Sequence, residues 1–162
     1  MELLTPRLTL REFRETDFAI FRELEAHPAT YHYESACPDE TATRKYLENA
    51  LADARQTPRT RYRFAVTIRP AEEVRGRVTL ALLNDSIREW EIGWAIHPAE
   101  WGKGFGVEAA QRLLEFAFTD LGAHRVELDV AGPEASRGSE LEDLRMGHVA
   151  VGLDAELSRG AG

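Results

Sequence analysis

The stretch from Trp90 to Val130 constrains the fold most. Trp90 to Ile96 reads as a strand that His97-Pro98 brings to an end. Val107, Ala110, Leu114, Ala117, Phe118 and Leu121 then recur at three- and four-residue spacing, the apolar stripe of the strongest amphipathic helix in the chain. Gly122 is placed to cap that helix, and Val126, Leu128 and Val130 alternate as a further strand. Strand, helix and strand in that order form a crossover, and a crossover needs a sheet around it.

The rest of the chain supplies the sheet. Tyr62 to Ile68 ends at Arg69-Pro70, and Arg75 to Leu83 ends at Asn84-Asp85. Short polar connections join these two strands to each other and to the Trp90–Ile96 strand, which suits antiparallel neighbours. Leu8-Thr9-Leu10 adds an earlier strand. Two helices follow it. One starts near Thr16-Asp17, carries Phe18, Phe21, Leu24 and Glu25, and stops at His27-Pro28. The other is capped by Asp39 or Thr41, carries Tyr46, Leu47, Ala50, Leu51 and Ala54, and ends before Thr57-Pro58. The expected class is α/β: one domain over residues 1–162 with a mixed, mostly antiparallel sheet flanked by helices. The tail from Ala131 resists assignment, although Glu140 to Met146 has a helical pattern.

Composition narrows the partners. A chain of 162 residues with 43% hydrophobic and 30% charged residues has an ordinary globular balance. Its formal charge of -8 argues against binding nucleic acid through a basic surface. No apolar run resembles a signal peptide or membrane span. Cys37 is the lone cysteine, so an internal disulfide is impossible and a reducing, cytoplasmic compartment is expected. The histidines are scattered, without metal-ligand spacing.

Trp101-Gly102-Lys103-Gly104-Phe105-Gly106 lies between a strand and the best helix, where chemistry is expected. Its three glycines let backbone amides converge at a helix N-terminus, whose partial positive charge attracts an anion, and Lys103 adds a full charge. A diphosphate needs this arrangement; a plain turn followed by a helix cap accounts for the glycines as well. A Walker P-loop is excluded because no Ser or Thr follows Gly-Lys. Gly104-x-Gly106-x-x-Ala109 fits the dinucleotide pattern literally, and Glu127 or Asp129 lies about 20 residues on. That pattern should follow its strand at once, however, and His97 to Trp101 intervene.

Glu91-Ile92-Gly93-Trp94-Ala95-Ile96-His97-Pro98 followed by Trp101 to Ala109 resembles the central motif of GNAT N-acetyltransferases. It is most similar to the branch of ribosomal-protein N-terminal acetyltransferases. Thr5-Pro6-Arg7-Leu8-Thr9-Leu10-Arg11, Phe116-Ala117-Phe118 and Leu121 to Val126 resemble further landmarks, so the likeness runs from about residue 3 to 130. Trp101 stands where the wider superfamily has Arg or Gln, and as a large aromatic it also suits a loop anchor.

The resemblance implies an enzyme that transfers acetyl from acetyl-CoA to a primary amine, a protein N-terminus or a small molecule, by direct attack. It implies that the pantetheine arm pairs with backbone freed along Ala95, Ile96 and His97. The loop amides from Trp101 through Gly102, Lys103, Gly104, Phe105 and Gly106 to Val107 would bind the pyrophosphate. Glu91 becomes the candidate base, with Glu89 as fallback, although an acidic residue there can also simply face solvent. His97 is open to reading as a base too, but the bend at the strand end explains its position equally well. Ser136 is the candidate acid for the leaving thiolate. The branch places an asparagine three residues before that serine; here the chain's asparagines are Asn49 and Asn84. The tail, residues 131–162, is short for the family's final hairpin. A protein that binds acetyl-CoA without catalysis is therefore the alternative function. Arg55, Arg59, Arg61 and Arg63 are candidates for an acidic acceptor or the CoA 3′-phosphate, or form a solvated face. A homodimer is a further expectation from the family.

Overall fold

Among the described residues seven strands lie in chain order in one sheet: β1 (Glu2–Leu4), β2 (Leu8–Glu12), β3 (Arg61–Ile68), β4 (Val74–Asn84), β5 (Glu89–Ile96), β6 (Arg125–Asp129) and β7 (Val149–Ala150). The computed structural model describes residues 1–31, 37–129 and 149–150. Strands β1 to β5 pair antiparallel, each with the next. β5 and β6 run parallel, with Glu91 opposite Glu127 and Gly93 opposite Asp129. The short β7 continues parallel beside β6.

The crossover between β5 and β6 is helix α4 (Phe105–Thr119). Its apolar stripe buries Ala110, Leu113, Leu114 and Ala117 against alternate residues of the sheet: Phe64, Leu80, Ile92 and Leu128 are all at or near zero exposure. Gly122 adopts a left-handed conformation (φ 64°) beyond the helix end, and the Ala123 amide reaches back to the Ala117 carbonyl at 2.9 Å. A residue with a side chain is disfavoured there, so Gly122 does the capping expected of it.

The opposite face carries α1 (Phe18–Ala26), the single turn α2 (Pro28–Tyr31) and α3 (Glu40–Asp53). Asp39 caps α3 by accepting the Ala42 amide at 2.7 Å. Phe13, Phe21 and Leu24 join Leu47, Ala50 and Ala65 in a second core on this side. Arg11 and Asp17, both buried, form a two-pronged ion pair at 2.8 and 2.9 Å, and Asp17 also accepts the Arg14 amide. This pair ties the start of α1 to β2. The period of two therefore sorts each strand: Trp90, Ile92, Trp94 and Ile96 face α4, whereas Glu89, Glu91, Gly93 and Ala95 face the α1–α3 side.

β1 and α2 were not expected from the sequence. β1 is three residues long, too short to show a period, and forms a hairpin with β2. The expected mixed, mostly antiparallel sheet with flanking helices is the one observed. The Glu140–Met146 segment and most of the tail lie outside the described residues.

Candidate active site

The site is organised by the end of β5 and the loop that follows. His97 donates its amide to the Arg75 carbonyl at 2.8 Å, extending the ladder with β4. In an antiparallel ladder the hydrogen-bonded pairs alternate, so Ala95, opposite Arg77, also turns its backbone toward β4. Trp94 and Ile96 then turn theirs toward the β6 side, where the pairing within the described residues runs to Gly93 and Asp129. Residue 130 lies outside the described residues. On that edge the Ile96 carbonyl accepts the Trp101 indole N–H at 2.7 Å. Trp101 is half-buried against the α4-side core, so it fastens the loop to the strand it leaves.

A short turn, Pro98–Glu100, leads into the glycine loop. Gly102 (φ 78°) and Gly104 (φ 80°) are both left-handed. The first bond within α4 runs from the Glu108 amide to the Gly104 carbonyl at 3.1 Å. The amides of Phe105, Gly106 and Val107 precede it, so the helix supplies them no carbonyl. Three N–H groups at a positive helix end fit a diphosphate. Lys103, expected to add its charge, is 54% exposed and pairs with Glu100 at 2.7 Å. Glu100 also binds Arg75 at 2.9 Å. Hydrogen bonds from Lys103 and Arg75 hold the Glu100 carboxyl below the usual carboxylate range despite some opposing burial.

Glu91 lies four residues before Ala95 on the same strand and on the α1–α3 face, half-buried, with Ala81 and Glu127 as its cross-strand neighbours. Glu89, the fallback, is engaged by Arg125 at 3.1 Å, and Arg125 also binds Glu127 at 2.9 Å. Two residues beyond Glu91, Gly93 faces Thr79, whose hydroxyl lies 3.3 Å from that of Tyr46 on α3. Arg77 binds Glu25 of α1 at 3.1 Å and stacks on the Tyr46 ring. The face that presents Glu91 is thus walled by side chains of α1 and α3. Ser136 lies outside the described residues.

The chain has counterparts among known proteins. The acetyltransferase (GNAT) domain matches residues 7–134. This chain belongs to the GNAT acetyltransferase family. An N-acetyltransferase of Bacillus licheniformis named p20 is 30% identical over 162 residues, spanning 98% of this chain and 89% of the relative. A GNAT-family acetyltransferase from Bacillus anthracis superposes with a TM-score of 0.73 at 22% identity, covering 90% of this chain and 83% of that one. The spermidine N-acetyltransferase from Vibrio cholerae, solved with CoA and spermine, gives a TM-score of 0.69 at 24% identity, covering 87% and 81%. Like its family, the protein is an acetyl-CoA-dependent acyltransferase.

Within this GNAT fold two side chains take places that the sequence did not suggest. Tyr46 reads as part of an apolar helix face, and only the tertiary structure sets its hydroxyl beside Thr79. Arg7 reads as a flank of β2, yet it reaches the glycine loop at the Lys103 carbonyl. Conversely, two of the four arginines considered for ligands are committed elsewhere. Arg59 grips Glu12 at 2.7 and 3.1 Å, and Arg63 binds Asp53 at 2.9 Å. Among the described residues no helix is long and apolar enough to cross a membrane, and no cluster of His, Cys, Asp and Glu could hold a metal ion.

His97 anchors the turn as well as the ladder: its Nδ1 accepts the Ala99 amide at 3.0 Å, and its ring stands edge-on to His27 at 5.3 Å. Burial, then the charges of Arg75 and His27, push its pKa below 6.5, outweighing Glu23 and Glu100. The folded state therefore binds this proton less readily than the unfolded chain. The stability contributed by neutral His97 is present above about pH 6.5 and is lost as pH falls through its lowered folded value. Thermal melting across pH 7.5 to 5 should show a shallower acid decline in His97→Asn, which keeps a capping acceptor that cannot titrate. Parallel declines in the two proteins would remove His97 from that role.

Proposed function

We propose that the protein acetylates a primary amine that approaches from the α1–α3 side, with Glu91 as the base. The observation carrying this reading is that one strand bears both working parts. β5 presents Glu91 on the α1–α3 face, turns the backbone of Trp94 and Ile96 toward the β6-side edge, and leads through the Pro98–Glu100 turn into the glycine loop. Pantetheine along that edge and diphosphate on the amides of Phe105, Gly106 and Val107 would bring a thioester to the middle of the strand. The edge contacts then centre on Trp94 and Ile96, because the His97 amide is already used by Arg75.

The chemistry balances without an enzyme-bound intermediate. Glu91 removes a proton from the ammonium, directly or through water, and the neutral amine attacks the thioester carbonyl. Loop and edge amides are suited to stabilise the oxyanion. The carbon–sulfur bond then breaks, and the thiolate takes up a proton as amide and free CoA form. The acceptor class is an amine on a small molecule or a protein N-terminus. The cluster of Glu89, Glu91 and Glu127 on this face, with Arg125 bridging the first and last of them, favours an acceptor that carries positive charge.

Incubation with acetyl-CoA and a panel of polyamines, amino acids, aminoglycosides and peptides with free N-termini, read by mass spectrometry, tests this reading. A product heavier by one acetyl group, formed in step with free thiol, is the expected result. Tight CoA binding in calorimetry with no acetylated product across the panel would favour a binding protein instead.

A further inference from the structure

We infer that Arg7 is a positioning residue that holds the glycine loop in its anion-binding shape; the inference rests on the reading of that loop as the diphosphate site. Arg7 lies in the β1–β2 turn, far from the loop in sequence. Its backbone amide donates to Glu108 Oε1 at 2.9 Å, its Nε donates to Glu108 Oε2 at 2.7 Å, and its Nη1 donates to the Lys103 carbonyl at 2.9 Å. The guanidinium also covers the Phe105 ring at 4.4 Å. A Cβ placed on Gly104 would come within 3.4 Å of Arg7 Nη2. One side chain therefore touches three positions around the first turn of α4, Lys103, Phe105 and Glu108, and leaves its tip beside Gly104.

The partner is equally fixed. Glu108 accepts a further bond from the Thr5 hydroxyl at 2.5 Å, and the same hydroxyl accepts the Leu8 amide at 2.8 Å. Burial alone would raise the Glu108 carboxyl, but the bonds from Thr5 and Arg7 outweigh it and hold its pKa below the usual carboxylate range. The hairpin at the N-terminus thus grips the helix end through one carboxylate and the loop through one carbonyl.

The grip is local. Arg7 is 47% exposed and Glu108 15%, and an ion pair with so wet a partner contributes little to global stability. What it can fix is direction. A carbonyl held at Lys103 sets the orientation of the next peptide, and the amides that follow must converge within a fraction of an ångström to share one anion. A guanidinium suits this task because its rigid fork serves carbonyl and carboxylate together. Lysine could reach one of them but not both.

The test is Arg7→Met, which keeps an apolar stem over Phe105 and removes every side-chain donor. CoA affinity measured by calorimetry should weaken about fivefold, with the melting temperature nearly unchanged. In turnover with an acceptor found in the amine panel, the loss should fall on KM for acetyl-CoA rather than on kcat. Acetyl-pantetheine, a donor without the diphosphate, should be far less affected. Arg7→Lys should recover only part of the loss. Unchanged CoA affinity in Arg7→Met, while Gly104→Val weakens it, would overturn the role of Arg7 and leave the loop reading standing. No effect from either substitution would overturn both. Equal losses with acetyl-CoA and acetyl-pantetheine would show a general structural defect and would also overturn the inference.

Discussion

Replacing Glu91 with glutamine should lower turnover by roughly 10²–10⁴, the scale of losing a general base. Glutamine keeps the size of the side chain and one carbonyl oxygen but cannot accept the proton. Acetyl-CoA affinity should barely move, because the proposed diphosphate amides at Phe105, Gly106 and Val107 and the proposed edge contacts at Trp94 and Ile96 lie on other residues. Glu91 points to the opposite face from α4, so its loss leaves the core beneath the helix untouched. The acid limb of the pH–rate profile should flatten too, if Glu91 sets it. Glu89 is poorly placed to take over, with Arg125 already on its carboxylate at 3.1 Å. Near-normal turnover at neutral pH in Glu91→Gln would transfer the proton to water or to an acceptor that arrives neutral. Loss of CoA binding along with activity would instead make Glu91 a support of the strand.

How much of this is legible in the sequence depends on the range of the interaction involved. The longer strands and helices around the crossover repeat their apolar residues at a period of two or near 3.6, and such periods survive in a single sequence. Gly122 and Asp39 are legible for the same reason, since a cap is settled among neighbours along the chain. The turn of the glycine loop is readable because its left-handed positions fall on Gly102 and Gly104. Arg7 and Tyr46 are not. Each works through a partner brought close only by the sheet, Glu108 across the β1–β2 hairpin and Thr79 beneath α3, and nothing in the local pattern marks either one. The charge of Lys103 is plain in the sequence, but its ion pair with Glu100 depends on the turn at Pro98–Glu100 folding back. The resemblance implies pantetheine contacts along Ala95, Ile96 and His97; the register turns the backbone of Ile96 toward the β6 side and that of Ala95 and His97 toward β4, an alternation visible only once the strands are paired.

Gly104→Val should weaken CoA binding at least tenfold, about 1.4 kcal/mol. Space is not what excludes a side chain, because the nearest atom to a Cβ placed there is the mobile tip of Arg7 at 3.4 Å. The backbone excludes it: Gly104 sits at φ 80° and ψ 9°, a left-handed conformation that costs an ordinary L-residue roughly 1–2 kcal/mol and a β-branched one more. Valine therefore either strains the loop or turns the peptide between residues 104 and 105, and the second course swings the Phe105 amide away from its neighbours. Gly104→Asn separates the two effects. Asparagine is bulky like valine but tolerates left-handed backbone, so it should retain most of the affinity. If the two substitutions weaken CoA equally, bulk near the ligand matters and conformation does not. If neither changes affinity while the melting temperature holds, the diphosphate binds elsewhere. An affinity lost with valine and largely kept with asparagine would tie cofactor binding to the backbone conformation at residue 104, the feature that the three glycines between Trp101 and Val107 make possible.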